Sequence, residues 1–174
     1  MTLPKKTIQS MVRVNHAGEY GALRIYQGQL KVLGDSTVAQ DLQHMLTQEQ
    51  AHLKAFEDQL KLHNTAPTLL QPLWDKGAFL LGLGTALLGK KAAMACTVAV
   101  EEVIDEHYRS QLVQLSQDPS QKPLETLIET CRQEELDHRS IALESGARES
   151  KAYVPLTFGI KIACKAAIFL SKKI

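Results

Sequence analysis

The chain has 174 residues, and its 20 Lys and Arg against 19 Asp and Glu leave a net charge of +1. That length suits one domain, residues 1–174, with a real core, and the charge balance argues against a nucleic-acid partner, which would call for a basic surplus. Aromatic residues make up only 5%, while Leu, Ala, Glu, Gln and Lys dominate, a composition that favours helices.

An apolar stripe with steps of three and four marks a first helix over residues 8–33, with Val12, Glu19, Tyr26 and Leu33 on one line. Gly34 ends it. Asp35 and Ser36 are the expected caps of a second helix that reaches about His63 through Leu42, Met45, Glu49, His52, Phe56 and Leu60. A long link follows over residues 64–90, rich in Leu and Gly with one Trp, Trp74. The third helix covers about 91–116 and aligns Met94, Val98, Glu101, Tyr108, Leu112 and Leu115. The fourth starts near 119–123, carries Leu124, Ile128, Cys131, Glu135, His138 and Ala142, and stops at Gly146. A last helix, about 155–172, is apolar nearly all round apart from Lys161, Lys165 and Lys172. No strand-like alternation of useful length is present.

Six side chains form two copies of one pattern. A lone Glu19 is followed 30 residues later by Glu49-Gln50-Ala51-His52, and a lone Glu101 is followed 34 residues later by Glu135-Leu136-Asp137-His138. On a helix the Glu and His of Glu-x-x-His share one face, a turn apart. All six lie on the apolar lines of their helices rather than on solvated faces. Four buried carboxylates would repel one another and pay a large desolvation penalty unless cations neutralise them. Two divalent metals meet that need, and two histidines with four carboxylates suit iron or manganese. Helical phase selects among neighbours. Glu102 lines up with Glu106 and Arg109, and Glu134 with Thr130 and Asp137, so both read as solvent-facing.

Short links make the first two helices antiparallel, and likewise the third and fourth, while the long link crosses the length of the bundle. This describes an all-α, ferritin-like four-helix bundle with a crossover between helices two and three and an extra C-terminal helix. Around the metals, Tyr26, His107 and Tyr108 are candidates for hydrogen bonding to the ligands, with His107 also a candidate redox relay. His16 reads as a packing or hydrogen-bonding residue, and His44 and His63 as boundary residues. Arg132 and Arg139 flank the second motif as counter-charges or solvated partners. Cys96, Cys131 and Cys164 form no Cys-x-x-Cys and are expected as reduced thiols.

The run Arg13-Val14-Asn15-His16-Ala17-Gly18-Glu19-Tyr20-Gly21-Ala22 resembles a hallmark of the demethoxyubiquinone hydroxylases, the di-iron monooxygenases of ubiquinone biosynthesis. Glu49-Gln50-Ala51-His52-Leu53, residues 95–102, Glu134-Glu135-Leu136-Asp137-His138 and the tail 153–174 are similar to the same family, in the same order. One departure is Glu106, which stands before His107-Tyr108 where the family often has a His. The resemblance implies Glu19, Glu49, His52, Glu101, Glu135 and His138 as iron ligands, with Glu49 and Glu135 bridging. It also implies O2 as co-substrate, NADH or the quinol itself as reductant, and ring hydroxylation of a polyprenylated quinone precursor.

A substrate with an isoprenoid tail stays in the bilayer, so the enzyme is expected at a membrane surface. The implied place is the cytoplasmic face of a bacterial inner membrane, or the matrix side of the mitochondrial inner membrane. No secretory signal or Arg-rich transit pattern is recognised ahead of the first helix, and the longest uncharged run, residues 77–89, is too short to span. Residues 69–88 and the last helix are the expected membrane-contacting stretches, with the lysines of the latter at the headgroups. No nucleotide fingerprint is present, since Gly82-Leu83-Gly84 and Gly89 lack the required spacing. A homo-oligomer or a lipid-binding helper protein are the expected partners. Iron storage or ferroxidase activity is the rival function within the same fold, and a lipid-binding scaffold is the non-enzymatic one.

Overall fold

Six α-helices and two short 3-10 turns make up this computed structural model, which describes residues 2–173 and has no strand among them. Ile174, the end of the tail that carries the resemblance, lies outside the described residues. The helices are α1 (Lys5–Leu33), α2 (Ala39–Leu62), α3 (Gln71–Leu87), α4 (Lys90–Leu115), α5 (Lys122–Glu144) and α6 (Tyr153–Ser171). Helices α1, α2, α4 and α5 form the antiparallel four-helix bundle, and α3 is the crossover between α2 and α4.

The sequence pattern left α3 inside a link because it has no clear stripe. Gly82, Thr85 and Ala86 are buried against the bundle while Leu73, Leu80 and Leu87 are exposed, so apolar residues occupy both sides. Pro72 sits in its first turn, where a missing N–H is tolerated. Asp35 and Ser36 do not cap α2. That helix begins at Ala39 with no side-chain cap, and the Ser36 hydroxyl instead donates to the Leu33 carbonyl at 2.6 Å, closing the turn after α1. Gly146, at φ 88°, takes the left-handed conformation expected after α5.

Two apolar clusters fill the bundle. One gathers Ile8, Val12, Phe56, Tyr108, Leu115 and Ile128, and the other gathers Leu33, Leu42, Met45, Met94, Val98 and Ala142. Glu19, Glu49, Glu101 and Glu135 sit along the same helix faces between these positions. Outside the bundle, α3 lies closely on α1 and α6 lies mainly on α4. The α1–α3 approach depends on glycine, because a Cβ at Gly82 would fall 2.0 Å from the Ile25 carbonyl oxygen.

Helix α6 is long and apolar enough, by length and composition, to cross a membrane. Two of its lysines, however, do not project away from the protein as the sequence pattern implied. Lys161 pairs with Glu102, and Lys165 pairs with Glu106 at 2.7 Å, so the basic stripe faces α4. Glu102, expected in solvent, is half-buried beneath this contact and also faces Arg139. These pairs lie along the edge of the α4–α6 contact, with Lys165 and Glu106 still exposed, and Val154, Phe158, Ile162 and Phe169 are exposed as well.

Candidate metal centre

All six residues of the repeated pattern meet inside the bundle. Glu19 comes from α1, Glu49 and His52 from α2, Glu101 from α4, and Glu135 and His138 from α5. Each is at most 5% exposed. They form two overlapping groups whose donor atoms lie within 4.8 Å of one another: Glu19, Glu49, His52 and Glu135, then Glu49, Glu101, Glu135 and His138. Each group has one histidine and one acid of its own, and Glu49 and Glu135 belong to both.

The donors point at a common centre rather than at partners. Glu19 Oε2, both Glu49 oxygens, Glu101 Oε2, Glu135 Oε1 and His52 Nδ1 are buried without an aligned hydrogen bond. His52 Nδ1 nevertheless stands 3.3 Å from Glu19 Oε2 and 3.2 Å from Glu135 Oε1. His138 Nδ1 stands 3.0 Å from Glu135 Oε2 and 3.3 Å from Glu49 Oε1. So many buried acceptors in contact are stable only around positive charge. Oxygen and imidazole donors of this kind fit a pair of divalent ions.

Without metal, protons supply part of that charge. Burial, then the neighbouring carboxylates, push Glu49 and Glu101 well above the usual carboxylate range. Burial works to lower His52, but the adjacent Glu135 and Glu19 carboxylates push it up to about 11. Burial works to raise Glu135, yet His138 and His52 hold it down at about 2.

The two tyrosines reach across the bundle. The Tyr26 hydroxyl of α1 donates to Glu101 Oε1 at 2.6 Å, and the Tyr108 hydroxyl of α4 donates to Glu19. Each follows the cluster acid of its own helix by seven residues and holds the cluster acid of the other. The outer edges of the histidines are held as well. His138 Nε2 donates to Gln48 Oε1 at 3.0 Å, and His52 Nε2 lies 2.6 Å from Glu134 Oε2. Sequence phase places Glu134 on the solvated face, and its side chain is indeed 36% exposed, but phase does not show that it reaches His52, nor does it single out Gln48. The repeat held the missing signal, because each residue immediately precedes the Glu of a Glu-x-x-His and grips the histidine of the other copy.

His107 touches none of the six. Its Nε2 accepts from Gln111 Nε2 at 2.8 Å, and Gln111 exchanges two further bonds with Asn15, at 2.8 and 2.7 Å. Burial and then Lys172 push its pKa down to about 4. It lines a polar cleft of about 340 Å³ with Lys6, Ser10 and Lys172. His16 is buried with no partner on Nδ1 and stacks near Tyr20. Arg132 pairs with Asp105 at 2.6 Å and with Glu129 at 3.1 Å, and so takes no part in the cluster. All three cysteines are free thiols.

An apolar cavity of about 350 Å³ opens between α1, α3, α4 and α6. Gly18, Ala22, Val100 and Ile104 line it, next to Glu19 and Glu101 or one turn beyond them. Trp74, Leu81, Cys164 and Ile168 close its outer sides, and Trp74 Nε1 donates to Ser171 Oγ at 3.0 Å to tie α3 to α6.

The family model described as "Ubiquinone biosynthesis protein COQ7" matches residues 6–171. The chain belongs to this family. It is 49% identical over 172 residues to a 3-demethoxyubiquinol 3-hydroxylase of Rhodospirillum rubrum, covering 98% of this chain and 80% of the relative. A relative in Homo sapiens, named NADPH-dependent 3-demethoxyubiquinone 3-hydroxylase, mitochondrial, is 45% identical over 174 residues, covering 99% and 80%. The 5-demethoxyubiquinone hydroxylase, mitochondrial, of Saccharomyces cerevisiae is 37% identical over 182 residues, covering 96% and 78%. Membership of this family accords with the buried Glu and His cluster and with the all-helical, ferritin-like bundle.

Proposed function

We propose that the chain, as one ferritin-like domain over residues 1–174, is a di-iron monooxygenase that hydroxylates the ring of a demethoxyubiquinol or demethoxyubiquinone precursor. The observation that carries this reading is the pair of overlapping donor groups sharing Glu49 and Glu135. Glu19 and His52 would hold one iron and Glu101 and His138 the other, with Glu49 and Glu135 offering donors to both. When bound, the two irons supply the activation of O2, with electrons from NADPH, NADH or the quinol itself; manganese fits the same donors.

The chain's own residues do the rest. Tyr26 and Tyr108 fix the two terminal carboxylates through buried hydrogen bonds, so that their free oxygens face the centre. Gln48 and Glu134 fix the imidazole planes in the same way. The apolar walls around the ligand layer exclude water, which limits unproductive loss of oxidising equivalents. The cavity bounded by Gly18, Ala22, Val100 and Ile104 is the place assigned to the quinone ring, with the polyprenyl tail leaving between α3 and α6.

A membrane surface is the matching location. Exposed Leu73, Leu80 and Leu87 on α3 and Phe158, Ile162 and Phe169 on α6 give these two neighbouring helices apolar outer sides. The surface would be the cytoplasmic face of a bacterial inner membrane, or the matrix side of the mitochondrial inner membrane; the human and yeast relatives are named mitochondrial. A second copy or a lipid-binding helper protein would share that face.

Anaerobic loading with ferrous iron, followed by O2, NADPH and a short-tailed demethoxyquinone, tests the reading. The expected product is heavier by one oxygen and disappears in Glu135→Ala. Unchanged quinone alongside rapid ferric mineral formation would refute it.

A further inference from the structure

The two halves of the centre match closely, with one difference in charge. Tyr26 and Tyr108 serve the two terminal acids alike. The histidines are served unequally. His138 Nε2 meets the neutral amide oxygen of Gln48 at 3.0 Å, whereas His52 Nε2 meets the carboxylate of Glu134 at 2.6 Å. Both partners are acceptors, so both rings carry hydrogen on Nε2 and present Nδ1 to the centre. Among the described residues no Lys or Arg pairs with Glu134, and His52 is its only ion-pair partner. Arg132, two residues away in sequence and so on the far side of α5, is engaged by Asp105 and Glu129.

A carboxylate acceptor makes a shorter and roughly twice stronger hydrogen bond than a neutral one. It draws the Nε2 hydrogen toward itself and leaves more electron density on Nδ1, which makes that ring the stronger donor to a cation. The negative charge also sits at the ring nitrogen opposite the one that faces the centre. An amide in the same place supplies orientation without charge.

We propose that Glu134 is a positioning residue that makes the two metal positions unequal. The position of Glu19 and His52 takes the first divalent ion and binds it on the order of ten-fold more tightly than the position of Glu101 and His138. This rests on the two-metal reading above and adds the order in which the positions fill.

The test is an anaerobic titration of the metal-free full chain with Mn(II), followed by calorimetry and electron paramagnetic resonance. The wild-type protein should bind two equivalents in two resolved steps, with an uncoupled Mn(II) signal at one equivalent and a spin-coupled pair at two. In Glu134→Gln the steps should merge, and coupled pairs should appear before one equivalent is reached. The exchange variant Gln48→Glu/Glu134→Gln keeps the side-chain composition and should restore two steps, with the order of filling reversed. Glu101→Gln then reports that order: in the wild-type background it should remove the weak step, and in the exchange background the tight one.

Two equal steps in the wild type, or two unchanged steps in Glu134→Gln, would overturn the proposal while leaving a di-metal centre in place. Fewer than two bound equivalents in the wild type would overturn both. A structural defect alone in Glu134→Gln would lower both affinities, and the exchange variant would not recover them; that result also rejects the proposal.

Discussion

Gly82→Ala isolates the contact that seats the crossover helix. An added Cβ would lie 2.0 Å from the Ile25 carbonyl oxygen, 2.8 Å from its carbon and 2.9 Å from Ile25 Cα. These are backbone atoms of α1, which cannot rotate aside as a side-chain tip would. To regain a normal separation of about 3.5 Å, α3 must withdraw from α1 by about 1.5 Å. Overpacking of this kind costs about 1–3 kcal/mol, and a backbone-on-backbone clash belongs at the upper end. Replacing a helical Gly by Ala returns about 1 kcal/mol of intrinsic propensity, so the net loss is about 2 kcal/mol. For a domain of this size that lowers Tm by about 4–8 °C.

Gly21→Ala is the matched control. It lies on α1 at the edge of the apolar cavity and a Cβ there meets nothing within 4 Å, so only the propensity gain of about 1 kcal/mol remains. Thermal melts followed by circular dichroism on the metal-loaded proteins should therefore move in opposite directions. A rise in Tm for Gly82→Ala comparable to that of Gly21→Ala would refute the close seating of α3.

Tyr26→Phe removes a buried donor from Glu101 and should cost about 1.5–3 kcal/mol in the metal-loaded protein, read as a lower urea midpoint; an unchanged midpoint would deny the bond a role. Ala163→Phe, placed on the α6 wall of the apolar cavity, should raise KM for a demethoxyquinone several-fold with little change in the metal stoichiometry, whereas an unaltered KM would exclude this cavity as the ring site. After chelation, Glu49 and Glu101, raised above their usual range, contribute stability that is present below about pH 4.5 and is lost as pH rises. His52, raised from 6.5 to about 11, contributes stability that is full below pH 6.5 and lost toward pH 11. Glu135, held at about 2, contributes stability that is present above pH 4.5 and lost as pH falls toward 2. The chelated protein should accordingly melt at falling temperatures from pH 5 to pH 9, and a Tm that rises over that interval would contradict the protonated cluster.

The six cluster residues were legible because each lies on the apolar line of its own helix, and burial follows from that line alone. Glu134 was not, because helical phase reports the face of one helix and says nothing of what an adjacent helix brings to its edge. His52 reaches to Glu134 from α2, so a side chain on the margin of α5 becomes part of the centre. The same limit explains the lysines of α6. Their spacing reads as a hydrated stripe, yet Glu102 and Glu106 meet them across the α4 contact. Helix α3 was hidden for a different reason: with neighbours on one side and exposed leucines on the other, it shows no polar face to contrast with an apolar one. The capping role assigned to Asp35 and Ser36 failed because the turn after α1 uses Ser36 itself.

Each hairpin carries the clasps for its opposite number: Tyr26 and Gln48 in one serve Glu101 and His138 in the other, and Tyr108 and Glu134 return the service. Damage in either half is therefore felt in its counterpart, and neither could mature into a working chamber by itself. A hairpin of this type is complete only when an equivalent hairpin faces it, and this single chain supplies both.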